Sequence, residues 1–158
     1  MKRYIRILLV MFSALNITCC GRDRTEIILP TQSKSVQLFL FASGACHPCK
    51  EELPEIQRWY DGYPNKNRVT PIVYFIAGNP ASKPATQEDA ILFGKGLGLT
   101  FEVRADKYAR FYRTFYKEST AVPSTVIADE KGIALKIYRP GIIPIDVLND
   151  DVLSFLHE

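Results

Sequence analysis

The sequence predicts an α/β domain built around a central mixed sheet. Two strand-length apolar runs, residues 36–41 and 69–77, are separated by a helical segment, as expected for buried parallel strands. Two later runs, residues 125–128 and 133–138, flank the turn Asp129-Glu130-Lys131-Gly132 and read as an antiparallel hairpin. Parallel and antiparallel pairing together make the sheet mixed.

Residues 1–20 stand apart from that domain. Lys2, Arg3 and Arg6 precede a mostly apolar run of about eleven residues, 7–17. A bilayer-spanning helix needs roughly 20, so the segment is expected to be a secretory signal peptide. Cys19 and Cys20 follow it directly. Cys20, preceded by Ile17-Thr18-Cys19, resembles the lipobox cysteine that becomes the lipidated N-terminus of bacterial lipoproteins. Cys19 would place Asn16 at the usually apolar position and fits less well. An ordinary cleaved signal and an uncleaved anchor are the alternatives, with both cysteines then incidental. Residues 21–35 are polar and read as a tether, in which Ile27-Ile28-Leu29-Pro30 is the one stretch suited to a short edge strand.

The domain proper is residues 36–158. After the first strand comes Cys46-His47-Pro48-Cys49, then a helix to about Tyr60 that Pro54 should kink by removing a hydrogen bond. Asp61-Gly62-Tyr63-Pro64-Asn65 breaks it. The second strand is followed by a loop at 78–84, a helix at 87–97 and a short extended piece at 99–103. Tyr108, Phe111, Tyr112 and Phe115 obey the i, i+3, i+4, i+7 rule and predict one apolar helix stripe packed in the core. Arg104, Lys107, Arg110, Arg113 and Lys117 lie largely off that stripe and read as a solvated face rather than an anion site. The hairpin turn places Gly132 where a positive φ suits glycine. Residues 144–156 form a closing helix.

Composition narrows the function. The net charge of +3 sits mostly in the leader: residues 1–19 hold three of the twenty basic residues and no acidic ones, leaving seventeen of each sign. A near-neutral domain does not suggest a nucleic-acid partner, which normally wants a basic face. Export leaves Cys46 and Cys49 as the one cysteine pair of the domain, too few for a disulfide scaffold.

That pair is the chemical centre of the chain. Two thiols three positions apart at a helix start can close a small disulfide ring and reopen it. The helix N-terminus favours a thiolate on the first sulfur. Cys46 is therefore the candidate nucleophile and Cys49 the candidate resolving thiol. Pro48 suits the first helical turn. His47, if protonated, would favour the reduced form and an oxidising couple; exposed, it would be screened. A static disulfide is one alternative. Zinc is another, but it normally wants four ligands, and His47 and His157 are the two histidines available.

Four segments resemble the exported TlpA/ResA-type thiol–disulfide oxidoreductases of the thioredoxin-like superfamily. They are Cys46-His47-Pro48-Cys49-Lys50-Glu51-Glu52-Leu53-Pro54, Gly98-Leu99-Thr100-Phe101-Glu102-Val103, Ala121-Val122-Pro123-Ser124-Thr125-Val126-Ile127 and Asp129-Glu130-Lys131-Gly132. The likeness covers roughly residues 33–157 and implies a thioredoxin-like three-layer α/β/α sandwich. It further implies that Glu52 is linked to the site as a proton relay to the resolving thiol, and that Pro123 is a cis-proline beside the cysteines. Val122 would then offer backbone groups to an extended partner segment. The implied setting is the periplasmic side of a bacterial envelope, in cytochrome c maturation or envelope thiol maintenance. Partners would be disulfide-bearing or dithiol envelope proteins, a membrane or periplasmic electron donor, and the membrane through a lipid anchor, with no cofactor. The chain departs from the pattern in two places. Ala45 stands where many relatives have Trp, and the strand Leu38-Phe39-Leu40-Phe41 lacks the buried Asp of many thioredoxins.

A rival reading uses the two thiols as soft ligands for Cu(I), with His47 or His157 joining. A peroxidase reading is disfavoured, because Ser43 stands where such sites usually carry Thr and the second Cys lies too close.

Overall fold

In the computed structural model, which describes residues 35–157, the first apolar run forms the central strand β1 (Val36–Ser43). Apart from Gln37 all of its residues are buried, which is why the run does not alternate. On one side β1 pairs in parallel with β2 (Val69–Ala77), and β2 in parallel with β3 (Glu102–Ala105). On the other side it pairs antiparallel with β4 (Ser124–Asp129), which continues to β5 (Ala134–Ile137). The order β3-β2-β1-β4-β5 makes one mixed sheet. Pro71 is tolerated in β2 because the pairing with β3 begins only at Ile72.

Helix α1 (His47–Gly62) connects β1 to β2, and α2 (Gln87–Gly96) connects β2 to β3. Both crossovers step the same way along the sheet and lie on the same face. Leu38, Leu40, Val73 and Ile127 face Leu53 and Ile56 of α1 there, together with Leu148, Val152 and Leu156 of the last helix, α4 (Ile145–His157). On the opposite face Phe39, Phe41, Ile72 and Val126 pack against Tyr112 and Tyr116, which belong to and follow the one-turn helix α3 (Tyr112–Phe115). The result is the three-layer α/β/α sandwich.

Pro54 lies inside α1, which runs on past it to Gly62, and its missing N–H leaves the carbonyl of Lys50, an exposed residue, without that bond. Two expectations are corrected. The extended piece expected at 99–103 is the strand Glu102–Ala105. Residues 97–99 instead close α2, with Gly98 at φ +67 and the Leu99 N–H donating to the Gly94 carbonyl at 3.0 Å. The aromatic stripe is not one helix. Lys107–Ala109 is a separate 3₁₀ turn, Tyr108 has φ +63, and its side chain is out in solvent. Phe111, Tyr112 and Phe115 do pack in the core. Gly132 has the positive φ expected of it, +81.

The expected signal peptide, the expected lipobox at Cys20 or Cys19, and the stretch Ile27-Ile28-Leu29-Pro30 lie outside the described residues. No helix among the described residues is long and apolar enough to cross a membrane.

Candidate active site

The site is built where β1 ends. The Gly44 N–H donates to the Ala77 carbonyl at 2.9 Å, and the Cys46 N–H to the Ser43 carbonyl at 3.1 Å, turning the chain into α1. Gly44 is required by close approach: a Cβ there would stand 3.0 Å from the carbonyl carbon of Gly78. The two β-ends are therefore locked together beside the sulfurs.

Cys46 is the N-cap of α1, with extended backbone (φ −82, ψ 104), and its Sγ accepts the Cys49 N–H at 3.1 Å. A capping atom in this place satisfies one of the free amides that every helix start presents. Here the capping atom is sulfur, so the amide and the helix dipole both favour negative charge on it. Pro48 occupies the first turn, where its missing N–H leaves no bond unmade. The two cysteines are joined in a disulfide, with Cys46 at 8% exposure and Cys49 at 0%.

The loop before β4 closes over this end. Val122–Pro123 is cis and Pro123 is buried. The Val122 carbonyl oxygen lies 3.4 Å from Cys46 Sγ, close enough to accept from the thiol once the disulfide opens. The loop is held from below: the Ala121 carbonyl accepts from Tyr112 Oη at 2.8 Å and from Ser124 Oγ at 2.7 Å, and the Pro123 carbonyl accepts the Gly141 N–H at 2.8 Å. These supports were not among the residues singled out from sequence. Periodicity assigns Tyr112 to the core and gives no sign that its hydroxyl carries a second task.

Glu52 and His47 differ sharply. His47 is exposed, with its Nε2 3.3 Å from Glu51 Oε1 one turn on. Any charge it carries is offset by that carboxylate and screened by water. Glu52, three residues past Cys49, is buried at 2% exposure. Its Oε1 accepts the Ile143 N–H at 2.8 Å from the segment before α4. Burial pushes the Glu52 carboxyl up to about 7; the Ile143 amide pulls it down and the charge of Glu55 pushes it further up. A carboxyl near 7 at helical spacing i, i+3 from Cys49 is a group able to hold or release a proton there at neutral pH.

For metal chemistry the donor set is thin. Among the described residues no group of three His, Cys, Asp or Glu stands together as a metal site.

Fold and site together are those of a thioredoxin-like protein with a Cys-x-x-Cys disulfide at the head of its first helix. No family model matches the chain. Sporulation thiol-disulfide oxidoreductase A of Bacillus subtilis is 26% identical over 107 residues, 68% of this chain. The chain matches 60% of that relative's length. Among solved structures, StoA of Bacillus subtilis superposes with a TM-score of 0.57 at 24% identity, over 77% of this chain and 84% of that one. A putative thioredoxin of Neisseria meningitidis gives 0.59 at 25% identity, over 78% and 76%. A putative thiol:disulfide interchange protein DsbE of Chlorobium tepidum gives 0.56 at 21% identity, over 78% and 82%.

Proposed function

We propose that this protein is an exported thiol–disulfide oxidoreductase acting as a reductant of envelope proteins, in cytochrome c maturation or envelope thiol maintenance. The observation that carries the exchange reading is the Cys46 Sγ itself: it caps a helix, accepts an amide N–H at 3.1 Å, and is bonded to a buried partner sulfur. In the proposed cycle the Cys46 thiolate attacks a client disulfide, forming a mixed disulfide and releasing one client thiolate. Cys49 then gives its proton to a nearby base and attacks the Cys46 sulfur. The client leaves as a dithiol, and the protein keeps the disulfide and has lost two electrons. Glu52 is the proposed acceptor of the Cys49 proton. An envelope electron donor restores the dithiol, and Cys20, or Cys19, holds the protein to the membrane as a lipidated N-terminus.

The reductant direction is favoured by charge. His47, which would stabilise a thiolate, is exposed and offset by Glu51. Glu52, which opposes negative charge on Cys49, is buried and on its side of the helix. The first withholds a charge that would stabilise the reduced form and the second opposes a thiolate on Cys49, so both keep the potential low. We expect the Cys46–Cys49 couple near or below about −270 mV, as for thioredoxin, rather than near about −120 mV.

The test is reduction of a protein disulfide by the prereduced chain. Cys46→Ala should abolish it. Cys49→Ser should stop the cycle at the mixed disulfide and retain clients covalently, identifying them by mass spectrometry. Undiminished reduction by Cys46→Ala would end the proposal.

A further inference from the structure

The turn Lys107–Ala109 carries a feature the exchange chemistry does not use. Strands β1, β2 and β3 run parallel, so the end of β3 at Ala105 lies at the same end of the sheet as Cys46. The loop that follows is held in a shape few residues adopt. Tyr108 and Ala109 both have left-handed backbone, φ +63 and +50, and neither is glycine.

What holds them is Asp106. Its buried carboxylate accepts the Phe111 N–H at 3.0 Å and the Tyr112 N–H at 2.8 Å, and its carbonyl accepts the Ala109 N–H at 2.8 Å. Ala109 is thereby buried against the core and Tyr108 is turned outward, 55% exposed. Two cations gather on the Tyr108 ring, Lys107 Nζ at 5.2 Å and Arg110 Cζ at 5.8 Å from its centroid. Both residues are exposed, and no carboxylate among the described residues pairs with either. Arg104, by contrast, is taken up by Glu102.

We propose that Lys107 and Arg110, braced on Tyr108, recognise an acidic segment of the client protein flanking its reacting disulfide. This rests on the exchange reading above. The argument is position and charge. A loop at the sulfur end of the sheet meets whatever chain the sulfurs meet. Strand β3 is two strands from β1, about 10 Å away, which an extended client covers in about three residues. The recognised carboxylates therefore belong about three to five positions from the client cysteine. Cations that no carboxylate among the described residues neutralises also attract acidic chains from a distance, so the effect falls on the rate of encounter and weakens with salt.

The experiment uses the prereduced full chain in single turnover. Its probes are two disulfide peptides that differ only in Asp-Asp or Asn-Asn at that spacing. The expected result at low salt is an acidic peptide reduced about three- to tenfold faster, with the ratio falling toward one at high salt. A K107E/R110E pair should reverse the preference. A K107A/R110A pair, which only truncates exposed side chains, should abolish it. Equal wild-type rates for the two peptides, or a preference that either pair leaves intact, would overturn the inference while leaving the exchange reading standing. If neither peptide is reduced, the exchange reading falls and takes this one with it. Vesicles of phosphatidylglycerol that bind through Lys107 and Arg110, with no preference between the peptides, would also overturn it, in favour of a membrane surface.

Discussion

Burying a carboxyl group penalises its charged form, and Glu52 shows the consequence for one residue. Its pKa is pushed from 4.5 to about 7, mainly by burial. The folded chain therefore holds this proton more tightly than the unfolded chain does. The group favours folding fully below about 4.5, and that contribution is lost as pH rises through about 7, amounting to about 3 kcal/mol. Glu52→Gln keeps an oxygen for the Ile143 amide and removes the titration. Urea denaturation at pH 5 and pH 8 should show the wild type losing more stability than the variant over that window. Parallel curves for the two would mean that Glu52 is not perturbed. The same substitution should remove an inflection near pH 7 from the reduction rate if Glu52 handles the Cys49 proton. From sequence, the i, i+3 spacing to Cys49 was legible. The burial was not, because the amide that receives the carboxylate belongs to Ile143, 91 residues further on.

At the scale of elements, two short contacts decide where segments sit. Gly94 of α2 backs onto β3: a Cβ there would lie 2.7 Å from Val103 Cγ2. Ala is the better helix former by about 1 kcal/mol, but overpacking costs about 1–3 kcal/mol. Gly94→Ala should therefore lower the urea midpoint in the wild type and raise it in a Val103→Ala background. That sign change is the check; a loss in both backgrounds would place the clash elsewhere. The Asp106 carboxylate is the second contact. Asp106→Ala leaves two amides without their acceptor and should cost about 1–3 kcal/mol per buried group left unpaired, and with it the left-handed pair at Tyr108–Ala109. This contact also explains where sequence reading failed. Residues 108, 111, 112 and 115 satisfy helical periodicity, and three of the four do face the core. Periodicity cannot register a side chain that caps from outside the repeat. Asp106 takes the Phe111 and Tyr112 amides, and the chain before them turns the other way. The long apolar strands, α1 and the late hairpin had no such competitor, and they were legible.

For the whole molecule, the order of elements could be read from the sequence, because each long element has its own period. The face each helix takes could not, because that depends on strand order: α1 and α2 share a face only because β2 and β3 step outward in succession from β1. One consequence joins fold and redox chemistry. Folding and oxidation of the Cys46–Cys49 pair form a closed thermodynamic cycle. The stability difference between oxidised and reduced protein must therefore equal the difference in potential between the folded pair and the same pair in the unfolded chain. A reductant requires the oxidised protein to be the more stable of the two. Denaturation midpoints with and without dithiothreitol test this, and a more stable reduced form would make the protein an oxidant. The cycle also isolates Glu52. If its charge opposes the thiolate of Cys49, then at pH 8 Glu52→Gln should raise the potential, and every 30 mV gained should narrow the stability gap by about 1.4 kcal/mol. The unfolded chain, where Glu52 is solvated, should contribute little to either change. A potential that stays fixed while the gap narrows would place the effect of Glu52 in the unfolded state, and would remove it from the chemistry of the sulfurs.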